Sequence, residues 1–151
     1  MISKVDYEVL IKRPVEEVWK YWFEMENVPV WAHNVKEVRQ ITEGPRDVGS
    51  RFVWTMTFLG QEFTQTMEII EQVPFKSGTV KSLDGPGTVT YRYDFETVPE
   101  GTKLMAHAEV EPHEGFFKLA APLIIAVFKR QWNAGLENLK DIVEADALVT
   151  A

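Results

Sequence analysis

Arg51-Phe52-Val53-Trp54-Thr55-Met56-Thr57-Phe58-Leu59-Gly60-Gln61-Glu62-Phe63-Thr64-Gln65-Thr66-Met67-Glu68-Ile69 consists of two alternating runs placed back to back. Successive side chains of a strand point to opposite faces, so Phe52, Trp54, Met56 and Phe58 share one face, while Arg51, Val53, Thr55 and Thr57 share the other. The tight turn Leu59-Gly60 ends the first run. In the second, Phe63, Gln65, Met67 and Ile69 oppose Glu62, Thr64, Thr66 and Glu68. The pattern is that of an antiparallel hairpin with one side buried.

The same period extends in both directions. Downstream, Pro74 closes the hairpin and residues 76–83 make a weaker strand before the turn Asp84-Gly85-Pro86-Gly87. Val89, Tyr91, Tyr93 and Phe95 then alternate with polar neighbours, Pro99-Glu100-Gly101 turns, and Leu104, Ala106, Ala108 and Val110 alternate with Lys103, Met105, His107 and Glu109. Upstream, Val35 to Thr42 is a strand ending in the turn Gly44-Pro45-Arg46-Asp47. At the N-terminus Val5, Tyr7, Val9 and Ile11 place another over 4–12. Between these two, Pro14 suits the first position of a helix and Glu16 and Glu17 its first turn. Val15, Val18, Trp19 and Trp22 form its apolar stripe. Pro29 interrupts any continuation, leaving 26–32 as a second short helical turn. Seven strands result, the last six in an unbroken meander.

From about Gly115 to Glu144 the period changes to helical, with Pro122 placed to break or kink the helix. Beyond it Ile124, Phe128, Trp132, Leu136, Leu139, Ile142 and Val143 fall on one face, and Lys129, Arg130, Glu137, Lys140, Asp141 and Glu144 on the opposite one. Residues 123–144 would span roughly 33 Å, enough to cross the face of a seven-stranded sheet. The expected architecture is α+β, a curved antiparallel sheet wrapped around a long C-terminal helix, as one domain over residues 1–151.

Composition narrows the function. Sixteen basic and 23 acidic residues give a net charge of −7, against nucleic acid or anionic membrane as a general partner. With no cysteine there is no disulfide, thiolate metal site or Cys nucleophile. No apolar run is long enough for an integral membrane segment, and the N-terminus lacks a signal-peptide pattern, so a cytoplasmic location is expected. Five Trp, nine Phe and four Tyr supply material for a core or a ligand pocket.

The order strand, two short helices, six-strand meander, long helix resembles the START-like (SRPBCC) superfamily, the polyketide cyclase/dehydrase and lipid-transport group. The resemblance spans nearly the whole chain. It rests on Ile11-Lys12-Arg13-Pro14-Val15-Glu16-Glu17-Val18-Trp19, on Trp31, on Val48-Gly49 and on Glu68-Ile69 to Pro74. Gly101-Thr102 and the terminal helix with Arg130, Leu136, Leu139, Lys140 and Glu144 complete it. It implies a helix-grip fold with an internal cavity between sheet and helix. The fold hosts carriers, receptors, cyclases, hydroxylase subunits and co-chaperone domains, so it does not by itself imply an activity.

The cavity-facing set would be Trp31, Trp54, Met56, Gln65, Met67, Tyr91 and Tyr93, facing Phe117, Ile124, Phe128 and Trp132 across the gap. These side chains either line a pocket or fill it as a solid core. The adaptable Met56 and Met67, and the polar Gln65, Tyr91 and Tyr93, favour a pocket. Gly135 offers room for a ligand or, the preferred reading, close packing; Gln131 and Asn138 flank that face and could reach a pocket rim, with a solvated helix boundary the preferred reading. Tyr91, Tyr93 and His33 are the candidate proton donors of a cyclase or dehydratase. The plainer reading of His33, and the one favoured, is an exposed loop residue. His107 should point outward, and His113 with Glu111 and Glu114 matches no compact metal site. No metal or cofactor is expected. The surplus apolar character of Phe116–Phe128 fits a gate, a dimer contact, a partner surface, or burial under the short helices and the 84–87 loop. The expectation is therefore a hydrophobic small-molecule binder, monomeric or homodimeric, with a cofactor-independent enzyme and a protein-interaction module as alternatives.

Overall fold

The computed structural model describes residues 2–85, 87–113 and 118–150, with side chains as far as 145. β1 (Ser3–Ile11) leads into α1 (Val15–Phe23), a 3-10 turn at Met25–Asn27 and α2 (Val28–Trp31). There follow β2 (Val35–Gln40), β3 (Arg51–Phe58), β4 (Gln61–Val73), β5 (Ser77–Ser82), β6 (Gly87–Val98), β7 (Gly101–Pro112) and the 30-residue helix α3 (Ala121–Thr150). All seven strands form one antiparallel sheet in the order β1-β7-β6-β5-β4-β3-β2. The architecture is the expected α+β helix-grip arrangement.

The quoted hairpin forms in the register its alternation requires, with Trp54 opposite Gln65 and Phe52 opposite Met67. Phe58 pairs with Gln61 across a two-residue turn, in which Leu59 and Gly60 both take positive φ (50° and 78°). Two left-handed residues in succession match the right-handed strand twist. β1 closes the other edge by pairing with β7, Ser3 against Val110 through Ile11 against Thr102. The first and last strands therefore hold one another.

Three sequence expectations shift at their boundaries. Pro14 immediately precedes α1 instead of opening it, and the second strand stops at Gln40 instead of Thr42. The 26–32 segment splits into the 3-10 turn and α2, with Pro29 in the first turn of α2. The helical tail is indeed interrupted. Lys118 and Leu119 are helical, Ala120 is a turn, and α3 starts at Ala121 with Pro122 in its first turn, where a missing N–H costs nothing. The expected onset at Gly115 lies outside the described residues, as do Phe116 and Phe117.

The core lies between the sheet and the helices, with Ile11, Val18, Phe52, Met67, Leu104, Leu136 and Leu139 inaccessible to solvent. Trp19 and Trp22 of α1 meet Tyr93 and Phe95 of β6 at ring separations of 4.9–5.3 Å. The indole of Trp22 lies against the backbone of β5, where a Cβ on Gly78 would come within 2.5 Å of the ring. Among the described residues no helix is long and apolar enough to cross a membrane.

Candidate ligand pocket

Where α3 passes over β3 and β6 the core is not filled. β3 supplies Trp54 and Met56, β6 supplies Tyr91 and Tyr93, α3 supplies Phe128 and Trp132, and the end of α2 supplies Trp31. These walls enclose a cleft with a cavity volume of about 40 Å³, or about 420 Å³ of empty space counting its mouth. A second chamber of about 60 Å³ adjoins it toward the α3 N-terminus, lined by Phe58, Phe63, Gln65, Val89 and Ile124 among others. Asn34, Met56, Tyr91 and Phe128 belong to both. Among the described residues no Asp, Glu, Lys or Arg lines either chamber.

The aromatic walls are ordered. Trp54, Tyr91, Trp132 and Phe128 form a run of nearly parallel rings, with centroids 6.0, 5.2 and 5.8 Å apart and planes within 18° of one another along it. At these separations the rings stack on one another in offset fashion, leaving no space between them and forming a continuous apolar wall along the cleft.

The polar atoms of the cleft are poorly satisfied by the protein. The indole Nε1 atoms of Trp31, Trp54 and Trp132 are buried with no hydrogen-bond partner, as is Oε1 of Gln131. All four residues line the first chamber. Among the described residues the remaining atom in this condition, Oδ1 of Asn133, does not belong to that lining. An unpaired buried donor costs about 1–3 kcal/mol, and an indole N–H can only donate. The cost is thus concentrated in one place. Burial pushes both tyrosine phenols upward, and for Tyr93 the neighbouring Tyr91 adds to the shift while a hydrogen bond from Trp22 opposes it. Near neutral pH both are protonated.

With this geometry in view the relationships become informative. Residues 3–144 match the family described as polyketide cyclase / dehydrase and lipid transport. The chain belongs to this family. No curated protein matches the chain in sequence. Among solved structures, TTHA0849 from Thermus thermophilus superposes with a TM-score of 0.82 at 18% identity, over 95% of this chain and 99% of that one. The Zhui aromatase/cyclase from Streptomyces sp. R1128 reaches 0.82 at 16% identity, over 95% and 94%. The di-domain ARO/CYC StfQ of the steffimycin biosynthetic pathway reaches 0.78 at 18% identity, covering 97% of this chain and 52% of that one. At such identities the likeness is one of fold.

Within this polyketide cyclase / dehydrase fold, the residues expected to face the cavity separate into groups. Trp31, Trp54, Met56, Gln65, Tyr91, Tyr93, Ile124, Phe128 and Trp132 stand on the chamber walls. Met67 does not; it is wholly enclosed in the core. Phe117 lies outside the described residues. Gln65 spends its amide on the chain itself, donating through Nε2 to the carbonyls of Asp84 and Gly87, both at 3.4 Å. Asp84 in turn accepts from the backbone N–H and hydroxyl of Thr66 at 2.7 and 2.9 Å, pinning the β5–β6 turn to β4. His33 is exposed in a polar groove with Thr57 and Asn138 that shares Trp31, Asn34, Gln131 and Gly135 with the cleft. His107 faces outward as expected, 2.8 Å from Asp6.

Two readings are corrected by the structure. Gln131 lines the cleft with its oxygen buried, instead of marking a solvated helix boundary. Leu119 and Leu123 are 87% and 54% exposed, so neither the short helices nor the β5–β6 turn buries that end of the apolar segment. Asn34 is a wall residue that the sequence did not single out, because the α2–β2 connection has no period to reveal its direction, and Val35, the first residue of β2, is another. Phe58, Val89 and Val110, already placed on the inward strand faces by the alternation, also stand on the wall though they were not named as cavity-facing.

Proposed function

We propose that the chain binds a hydrophobic or aromatic small molecule between the sheet and α3. The observation that carries this is the uncharged cleft walled by the parallel rings of Trp54, Tyr91, Trp132 and Phe128. The family and the fold shared with solved aromatase/cyclases support it. Pockets that take a drug-sized guest run to roughly 300–1,000 Å³, far more than the chambers hold, so binding requires their common wall to yield. Met56 and Phe128 are suited to this, one by its three rotatable bonds and the other by being only half-buried. Native mass spectrometry of gently purified protein tests the proposal. We expect an excess mass that disappears on denaturation, or quenching of tryptophan fluorescence by a panel of planar aromatics. A ligand-free mass combined with no quenching by any of them would overturn it.

A second reading, a cofactor-independent cyclase or dehydratase, is favoured by Tyr91, a protonated phenol in the wall of both chambers. Tyr93 and, from the adjoining groove, His33 would be its companions. On this reading Tyr91→Phe with Tyr93→Phe lowers turnover of a bound poly-ketone chain by about a hundredfold, within the range general-acid catalysis contributes. Unchanged turnover removes it.

A further inference from the structure

We infer that Gly135 is the hinge on which the N-terminal half of α3 lifts from the sheet to admit the guest. The gating rests on the proposed pocket; the hinge stands on α3 itself. Glycine is the poorest helix former after proline, and in a helix interior it calls for a packing or functional reason. Packing does not require this one. A Cβ at position 135 would lie 3.5 Å from the ring and from the carbonyl of Trp31, an ordinary van der Waals distance. The glycine divides α3 into two unlike halves. Beyond it the helix is fastened. Glu137 accepts from the Tyr7 hydroxyl at 2.6 Å, Asn138 donates to the Trp31 carbonyl at 3.3 Å, and Glu144 accepts from the backbone N–H of Lys12 at 2.8 Å. Leu136 and Leu139 are wholly enclosed. Before it, among the described residues, no hydrogen bond or ion pair joins α3 to the rest of the protein. The inward side chains of this half, Ile124, Phe128 and Trp132, wall the two chambers, so lifting it opens both. Just ahead of the glycine, Gln131, Trp132 and Asn133 each bury a polar side-chain atom without a partner. Opening gives these atoms water, which offsets part of the apolar burial that is lost.

Amide hydrogen exchange of the ligand-free protein reads the hinge. Bending at Gly135 breaks the bonds from the amides of 135–138 to the carbonyls four residues earlier. We expect protection at 135–138 to fall about tenfold below that of both 128–131 and 139–143, whereas a helix that only frays gains protection steadily from its end inward. Gly135→Ala should fill the dip by about fivefold, or about 1 kcal/mol at 1.4 kcal/mol per factor of ten. Combining it with Ala134→Gly moves the glycine to the exposed neighbouring position and should restore the dip. Stopped-flow binding of N-phenyl-1-naphthylamine, a neutral apolar fluorophore, reads the gate. We expect Gly135→Ala to slow association and dissociation alike, by about fivefold, with Kd unchanged, and the combined variant to recover the parental rates. Protection that rises steadily through 135–138 overturns the hinge. A combined variant as slow as Gly135→Ala also overturns it, since the added Cβ and not lost flexibility would then be the obstacle. So does weaker binding at an unchanged association rate, which would make the glycine space for the guest. If neither this fluorophore nor any of the planar aromatics binds, the pocket and its gate fall, and the exchange profile still decides the hinge.

Discussion

Leu59 holds a left-handed backbone conformation, φ 50°, at the first position of the β3–β4 turn. A β-carbon crowds the following carbonyl there, and asparagine tolerates the strain better because its side chain bonds locally. Leu59 is 37% exposed, so little burial is lost on replacing it. Leu59→Asn should stabilise the protein by about 0.5–1 kcal/mol, read as a higher urea midpoint with an unchanged slope. An equal or lower midpoint would show that the leucine's contacts outweigh the strain. The cleft is likewise decided residue by residue. Strand alternation was enough to place Trp54, Met56, Tyr91 and Tyr93 on one face. It was silent on which inward residues meet space and which meet neighbours, and Met67, one step beyond Gln65 on the same face, is wholly packed.

Between elements, Arg46 ties the β2–β3 loop to the helical segment after β1. Its Nη1 donates to the Phe23 carbonyl at 3.1 Å and its Nε to Oε1 of Gln40 at 2.9 Å. It also pairs with Glu26, and its guanidinium sits 5.2 Å from the centre of the Phe52 ring. With its side chain only 14% exposed, Arg46 acts as a partly buried fork with several acceptors, not as a surface ion pair. Arg46→Met should cost about 2 kcal/mol, since it leaves buried acceptors unpaired. Arg46→Lys should recover less than half of that loss, because an ammonium cannot reach the same set of acceptors. Thermal denaturation of the two variants beside the parent checks both. In sequence Arg46 stood only within a turn; its partners lie 6 to 23 residues away and become neighbours through the fold.

For the whole molecule, the two buried phenols set the alkaline limit. Burial raises Tyr91 and Tyr93 above the ordinary phenol value of 10.0. Their stabilising effect is complete below the unfolded value and is lost as pH rises above it, because the unfolded chain releases protons that the folded one retains. Stability should therefore hold through neutral pH and decline once pH passes about 10. Phenolate absorbance from these two residues should appear only together with unfolding, and Tyr91→Phe with Tyr93→Phe should move the decline to higher pH. At the acid end the opposite sign applies. The hydrogen bond from Arg46 lowers Glu26 below 4.5, so its contribution is present above that value and lost as pH falls through the lowered one.

Local pattern alone determined the seven strands, the two short helices, the terminal helix and the face that each buries, because strand and helix periods are properties of consecutive residues. It also brought nine of the eleven cavity-facing residues named from sequence to the chamber walls. Only the tertiary structure decided that the space between α3 and the sheet is divided into two chambers with no charged side chain among their described lining residues, that Gln65 is committed to the β5–β6 turn, and that Trp31, Trp54 and Trp132, whose Nε1 atoms have no partner, line one cleft. Cavity and unpaired donor are both defined by what is missing from the surroundings of a side chain. Those surroundings are assembled from residues as far apart in the chain as Trp31 and Trp132, beyond the reach of any local period.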